Sequence, residues 1–229
     1  MKELTRMCAR GVRANLIPGV ALQAIGLVVV GAYYFVPATS GFFEFVRDVK
    51  LEYGYWYSAV TTAVFGGLIP FLYIYATGRV KKGSALAIGA FFVFAWMEKG
   101  IEVDFLYRFQ AVLFGDAANA ATVAKKVAFD QFVYCPLWSA PVTAILYRWK
   151  DCDFSWARFK RSFDRELFTL HIPSVLVSTW MVWIPGTAFV YSMPSDLQLP
   201  LFTLVLCFFV LLVSALEKDE PQIEVGRNA

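Results

Sequence analysis

The chain has 229 residues, of which 59% are hydrophobic and 17% are charged, and its formal net charge is +3. Its apolar residues form continuous runs instead of the periodic stripes of a soluble domain, so the composition excludes a water-soluble globule. The charges lie mostly between these runs, where they indicate membrane topology and contact with anionic lipid headgroups. They do not form the kind of basic patch that indicates a nucleic-acid partner.

Six apolar segments predict an all-α polytopic transmembrane helical bundle, because about 20 apolar residues suffice for a helix to cross a hydrocarbon core of roughly 30 Å. We expect one membrane domain over residues 1–229. Pro70 lies inside the second segment and should kink its helix. The predicted transmembrane helices are 14–36, 56–79, 83–109, 121–149, 171–194 and 197–217.

A seventh segment, 153–170, is predicted to form an amphipathic helix on the membrane surface. Phe159, Phe163 and Leu167 follow one another at intervals of four residues and therefore share one helical face. The lysines and arginines between them would face anionic lipid, as in interfacial helices.

The basic residues alternate between crowded and sparse connections. Most of the 21 lysines and arginines lie before the first segment or after the second, fourth and sixth. Basic residues are retained on the cytoplasmic side, so both termini are predicted to be cytoplasmic. The first apolar run is longer than the roughly 7–15 residues of a signal-peptide core, and we expect it to be retained as a helix.

The third segment carries charges where a membrane helix normally has none. Its apolar run ends at Met97, after only about 22 Å of helix. Asp104 and Arg108 are spaced for an ion pair. Glu98 and Glu102 also lie four residues apart and suit cation binding or proton transfer. Charges at a helix end also simply mark the water boundary, so both interpretations stay open.

Asp130 is the clearest ionisable residue inside an apolar segment. Lys126 precedes it by four residues on the same helical face, and Gln131 follows it. An ionisable group in lipid costs roughly 2.5–3.5 kcal/mol on insertion scales, so Asp130 should face the bundle interior. It either belongs to a solute or proton path, in one vestibule with Glu98 and Glu102, or is the ion-pair partner of Lys126 or of another basic residue.

The sequence shows no pattern of an enzyme or of a cofactor site. It contains no glycine-rich phosphate loop, nucleophile elbow or metal-binding helix motif. We expect no metal and no cofactor, and we expect the cysteines to be free thiols, because neither the histidine nor the cysteines follow a metal-ligand or disulfide spacing. The residues concerned are His171, Cys8, Cys135, Cys152 and Cys207.

Two motifs resemble a known family. The pattern K-x-x-x-D-Q-x-x-x-x-P, formed by Lys126, Asp130, Gln131 and Pro136, is similar to the hallmark of the Mpv-seventeen family, also called the twenty-two-kilodalton peroxisomal membrane protein family. The residues that look like that family's closing tryptophan–proline region and later proline are Trp180, Trp183, Pro185, Tyr191 and Pro194.

The chain also departs from the family pattern. Ile184 separates Trp183 from Pro185, where the family usually joins tryptophan directly to proline. The first segment looks like an addition at the N-terminus, and no arginine-rich transit peptide precedes it. We therefore expect a bacterial relative in a cytoplasmic membrane, with a mitochondrial or peroxisomal membrane as the alternative.

The resemblance implies a channel-like protein that passes small solutes or ions, or regulates their passage. It makes Lys126, Asp130 and Gln131 the polar core, with Trp180 and its neighbours shaping a kinked helix beside it. The alternative from a different class is a membrane assembly or scaffold protein without transport activity. The oligomeric state stays open in both cases.

Overall fold

The computed structural model describes residues 2–80, 84–163 and 167–216, and within these ranges every regular element is a helix. The predicted helix ends at 83 and 217 lie outside the described residues. Eight helices are labelled here in chain order. They are α1 (Lys2–Phe35), α2 (Ser40–Tyr53), α3 (Tyr55–Ala76), α4 (Ala85–Phe114), α5 (120–151), α6 (Trp156–Arg161), α7 (Ile172–Tyr191) and α8 (Ser195–Leu216).

Within the described ranges, three helical stretches are long and apolar enough to cross a membrane, namely Asn15–Phe35, Tyr55–Ala76 and Ser195–Val213. A fourth is added if the two parts of the bent stretch from Phe168 to Tyr191 count as one span. The 30 residues of α4 correspond to about 45 Å of helix, so its length also suffices. Its charges set α4 apart from the apolar helices.

The helices pack as a bundle in which α1 lies along α7 and α3 lies along α4. Small residues in α4 permit the second contact. A Cβ at Gly89 would lie 2.8 Å from the ring of Phe71 in α3, and a Cβ at Gly100 would collide with the Ser58 carbonyl and Thr62. Gly89 and Gly100 therefore face a neighbouring helix within the same chain.

Wide π-helical turns occur beside two of the prolines. The segment Ala63–Leu68 of α3 precedes Pro70, and the segment Asp130–Ser139 of α5 contains Pro136. Proline lacks the N–H that would bond one turn back, and a wide turn relieves the clash of its ring with that turn. The helix is thus widened just before Pro70, and the predicted kink there stays a prediction.

The connections differ most from the sequence prediction. The interfacial helix predicted over 153–170 is wrong in extent, because the helix observed in the described residues covers only Trp156–Arg161. Asp153 and Phe154 have positive φ angles of 48° and 56°, which no α-helix contains. Residues 164–166 lie outside the described chain, and Leu167–His171 already forms a π-helical turn leading into α7.

A helix was missed between the first two predicted spans. Residues 40–53, which lie outside every predicted helix, form α2. Its amphipathic sequence buries Phe43 and Lys50 against the bundle and leaves Phe42 and Phe45 exposed. The turns after α2, α4 and α7 lie at one end of the molecule, where Lys50, Asp116 and Ser195 border a common recess. We call this end the hairpin end.

Candidate functional site

Asp130 is buried in the centre of a polar cluster. Its Oδ2 accepts a hydrogen bond of 2.6 Å from the Tyr191 hydroxyl in α7, and its Oδ1 accepts one of 3.2 Å from Gln131 Nε2. The Tyr191 hydroxyl in turn accepts a hydrogen bond of 2.8 Å from Gln110 Nε2 in α4. Three helices therefore meet at one carboxyl group, as expected for an inward-facing acid in a membrane bundle.

Lys126 does not pair with Asp130, although both residues are buried. Its Nζ lies 3.8 Å from Asp116 Oδ1, in the connection between α4 and α5, and 6.0 Å from the centroid of the Tyr191 ring. Tyr191 thus bonds to Asp130 and lies against Lys126. The interpretation of Asp130 as the ion-pair partner of Lys126 is wrong.

A cavity of about 160 Å³ adjoins the Asp130 cluster. Its wall combines apolar rings with polar groups from α4, α5 and α7. Gln131 Oε1 and Gln110 Oε1 are buried and have no hydrogen-bond partner. The polar or ionisable residues that line the cavity are Lys99, Tyr107, Asp130, Gln131, Tyr134, Cys135, Ser139, Thr143, Thr179 and Thr187.

The two glutamates of α4 separate from each other. Glu102 pairs with Lys99 at 2.8 Å and accepts a hydrogen bond from the Tyr134 hydroxyl, so it supports two residues of the cavity wall. Glu98 is exposed on the outer surface of the bundle and lines a different groove. The predicted vestibule shared by Asp130, Glu98 and Glu102 is therefore wrong for Glu98.

The two motifs that carry the family resemblance meet in space. Pro136 cannot donate the bond that a π-helical turn would direct to the carbonyl of Gln131, five residues earlier. Trp180 Nε1 donates a hydrogen bond of 2.7 Å to that carbonyl. An indole from α7 thus supplies the donor that the proline removes, and it fixes α7 against the widened part of α5.

The remaining motif residues shape the end of α7. Trp183 lines the cavity and packs on Phe202 with ring centroids 5.5 Å apart. Pro185 is exposed within α7. Pro194 lies in the turn to α8, where its carbonyl accepts a hydrogen bond of 2.9 Å from the Leu197 N–H.

A second buried cluster lies at the hairpin end. Lys50 of α2 forms an ion pair of 2.5 Å with Asp104 of α4, and it also donates to Ser58 Oγ at 2.8 Å and to the Gly54 carbonyl at 3.1 Å. Arg108 Nε lies 3.1 Å from the other oxygen of Asp104, so the predicted pair of Asp104 and Arg108 is confirmed. Burial lowers the pKa of Lys50, and the hydrogen bond and charge of Asp104 oppose that shift.

A polar recess of about 170 Å³ lies beside this second cluster, bordered by Asp104, Arg108, Asp116 and Asp196. Tyr107 borders both this recess and the cavity beside Asp130. Its ring packs edge to face on Tyr191, with centroids 5.2 Å apart. Tyr107 thus lies between the two spaces, and Tyr191 packs against it.

The described residues contain no group of three or more histidine, cysteine, aspartate or glutamate side chains placed to hold a metal ion. Cys135, Cys152 and Cys207 are free thiols, as predicted. The side chains of Cys8 and His171 lie outside the described part of the structure.

No family model matches the chain, and comparisons with curated proteins and with solved structures find no significant match. The resemblance to the Mpv-seventeen family therefore stays a prediction from its motifs.

Several members of the site were missed in the sequence. Tyr107 and Tyr134 are uncharged and interrupt no apolar run, so they give no signal against a lipid-facing background. Tyr191 was named only as part of the family-like motif, without its contact to Asp130. Gln110 is the one with a usable signal, because a buried amide needs partners and its position follows the charges of α4 by one turn. Lys50 was counted only as a loop charge, since nothing nearby in sequence predicts its partner 54 residues away.

Proposed function

We propose that the chain is a polytopic membrane protein that passes small solutes or ions, or regulates their passage, through the space beside Asp130. The observation that carries this proposal is a buried carboxyl group at a cavity, hydrogen-bonded only by neutral donors. The amide oxygen of Gln131 beside it lacks a partner. A cation or a small hydrogen-bonding solute would satisfy both groups, whereas an apolar molecule would satisfy neither.

The arrangement of the two spaces supports a path. The recess at the hairpin end and the cavity beside Asp130 share Tyr107 as a wall. Movement of the Tyr107 and Tyr191 rings would join them. In this proposal the two rings form the constriction and Asp130 lies directly behind it.

We further propose six spans, formed by α1, α3, α4, α5, α7 and α8, with both termini cytoplasmic. The contacts of three charged residues of α4 support this, because Lys99, Glu102 and Asp104 are all engaged by other residues. The distribution of basic residues supports the orientation. The hairpin end would then be extracytoplasmic, in a bacterial cytoplasmic membrane.

The family assignment belongs to the same proposal. The hydrogen bond from Trp180 to the Gln131 carbonyl joins the two motifs that resemble the Mpv-seventeen family, which supports a shared role for them. Bound lipid is the expected partner on the outer surface. We propose no catalytic role and no cofactor.

Water access to the cavity can be tested with the native cysteines. Cys135 lines the cavity, whereas Cys207 of α8 is equally buried, at 7% exposure, and does not line it. In one variant Cys135 would be the sole cysteine, and in the other Cys207 would be the sole cysteine. Both would be treated in vesicles with a small water-soluble thiosulfonate. We expect modification of Cys135 to be at least about tenfold faster than that of Cys207, because thiosulfonates react with thiolate in water.

Transport itself requires flux measurements on purified protein in liposomes. We expect uptake of small cations or small polar solutes above that of empty vesicles, and its loss in Asp130→Asn. Equal rates for protein-containing and empty vesicles, together with unreactive Cys135, would contradict the proposal and favour the assembly or scaffold alternative.

A further inference from the structure

An open groove lies on the outer surface between α4 and α5, separate from the cavity beside Asp130. Phe94 and Glu98 line it from α4, and Leu146 and Trp149 line it from α5. Phe154, in the connection after α5, closes one end. The groove encloses about 680 Å³, within the range of about 300–1,000 Å³ that is typical of small-molecule sites.

Among the described residues that line this groove, Glu98 is the only ionisable one, and its side chain is exposed. The neighbouring cation, Lys99, is engaged by Glu102 at 2.8 Å and borders the other cavity. Among the described residues, none forms an ion pair with Glu98. A carboxylate near the middle of a 30-residue helix therefore faces an apolar surface without a counter-charge.

The aromatic wall of the groove is held in a specific arrangement. Phe94 and Trp149 are 63% and 37% exposed, so their rings are available to a ligand. Phe154 has a φ angle of 56°, which is unfavourable for a bulky residue. Its ring packs edge to face on Trp149 at 5.1 Å and lies tilted against Phe91 at 5.8 Å, and these contacts keep it at the end of the groove.

We propose that this groove binds a hydrophobic organic cation, such as a quaternary ammonium or phosphonium compound with an apolar body. The charge of Glu98 would neutralise the cation, and the exposed rings would contact it through cation–π interactions. The apolar body would fill the remainder of the groove, which is lined by aliphatic and aromatic side chains. Such a ligand reaches the groove from the bilayer, since it partitions into lipid.

This ligand class follows from charge complementarity. A neutral lipid chain would leave the carboxylate unpaired, at a cost of roughly 2.5–3.5 kcal/mol on insertion scales. An anion would add repulsion. Only a ligand that combines positive charge with apolar surface satisfies both features of the groove.

The test uses two ions of nearly the same shape and opposite charge, tetraphenylphosphonium and tetraphenylborate. Binding of each to the full chain would be measured by equilibrium dialysis in nanodiscs of zwitterionic lipid, with empty nanodiscs as the blank. We expect saturable binding of the phosphonium alone. Its dissociation constant should rise at least about tenfold in Glu98→Gln.

Two further variants separate binding from folding. Glu52→Gln removes the same charge from an exposed position near the end of α2 and should leave binding unchanged. Trp149→Leu keeps the carboxylate and should weaken phosphonium binding about three- to tenfold through loss of the aromatic wall. Equal phosphonium binding by the wild type and Glu98→Gln would overturn the proposal. So would disulfide formation between two Glu98→Cys chains, which would show that a second copy covers the groove.

Discussion

The two buried polar clusters of this molecule differ in how completely their charges are compensated. At the hairpin end, Lys50 uses its three donors on Asp104, Ser58 and the Gly54 carbonyl, and Arg108 takes the other oxygen of Asp104. No cation among the described residues forms an ion pair with Asp130, and two amide oxygens of this cluster lack partners. The first cluster is complete and joins α2, α3 and α4. The second is incomplete and borders an open cavity.

This difference separates a structural role from a functional one. A fully paired buried ion network contributes to the fold mainly because breaking it exposes an uncompensated charge. A cluster with unused hydrogen-bonding capacity can accept a ligand without first losing an internal partner. Substitutions in the first cluster should therefore affect stability most, and those in the second should affect transport.

The largest effect is expected for Asp104→Ala, which leaves Lys50 buried without its carboxylate. We expect the free energy of unfolding, measured in detergent by titration with a denaturing detergent, to fall by about 3–5 kcal/mol. The matched control is Asp48→Ala in α2, because Asp48 and its partner Arg47 are 68% and 45% exposed and lie 3.5 Å apart. That change should cost less than about 1 kcal/mol. Similar losses in the two variants would remove the distinction between the clusters.

A smaller loss of stability is expected for Gly100→Ala. The added Cβ would collide with the Ser58 carbonyl and with Thr62, and so push α3 away from α4 beside the Lys50 cluster. Overpacking of this kind costs about 1–3 kcal/mol. Gly31→Ala is the control, since no atom lies within 4 Å of its added Cβ. It should leave stability unchanged or raise it by up to about 1 kcal/mol.

Tyr191→Phe tests the second cluster. The change removes the hydroxyl that donates to Asp130 and accepts from Gln110. Hydrogen bonds in membrane proteins contribute about 0.6 kcal/mol on average, and at most about 1.7 kcal/mol, to stability. We therefore expect the free energy of unfolding to fall by an amount within that range. Tyr53→Phe, at a position that is 55% exposed, should change stability by less than about 0.5 kcal/mol. A loss above about 3 kcal/mol would place Tyr191 among the structural residues.

The smallest stability effect is expected for Asp130→Asn. The amide oxygen can still accept the Tyr191 hydrogen bond, and the substitution removes a buried charge that has no counter-ion. The free energy of unfolding should change by less than about 1 kcal/mol, while flux in liposomes is lost. Retained flux together with a large loss of stability would reverse the assignment of the two clusters.

The helices themselves could be predicted from the sequence, because continuous apolar runs report burial in lipid directly. The predicted helix 56–79 corresponds to Tyr55–Ala76, and 197–217 corresponds to Ser195–Leu216 over its described part. The helix α2 was missed because its apolar residues alternate with charges within only 14 positions. The segment 153–170 was predicted as one helix because periodicity contains no information about the positive φ angles at Asp153 and Phe154.

The site could be predicted only in part. Asp130 and Gln131 were found because a charge inside an apolar run is conspicuous. Their contacts were not predicted, since helical spacing predicts contacts within one helix, whereas Tyr191 and Gln110 come from two others. The same rule wrongly paired Lys126 with Asp130, because a π-helical segment begins at Asp130 and the Lys126 ammonium instead reaches Asp116.

The π-helical segment Asp130–Ser139 also sets the rotational phase of the second half of α5. Each residue of an α-helix advances the side-chain direction by about 100°, so deleting one residue here would turn everything that follows by roughly that angle. Thr143 would leave the cavity wall, and the stripe formed by Leu146 and Trp149 would turn away from Glu98. One widened stretch of helix thus keeps the interior cavity and the outer groove in register with each other.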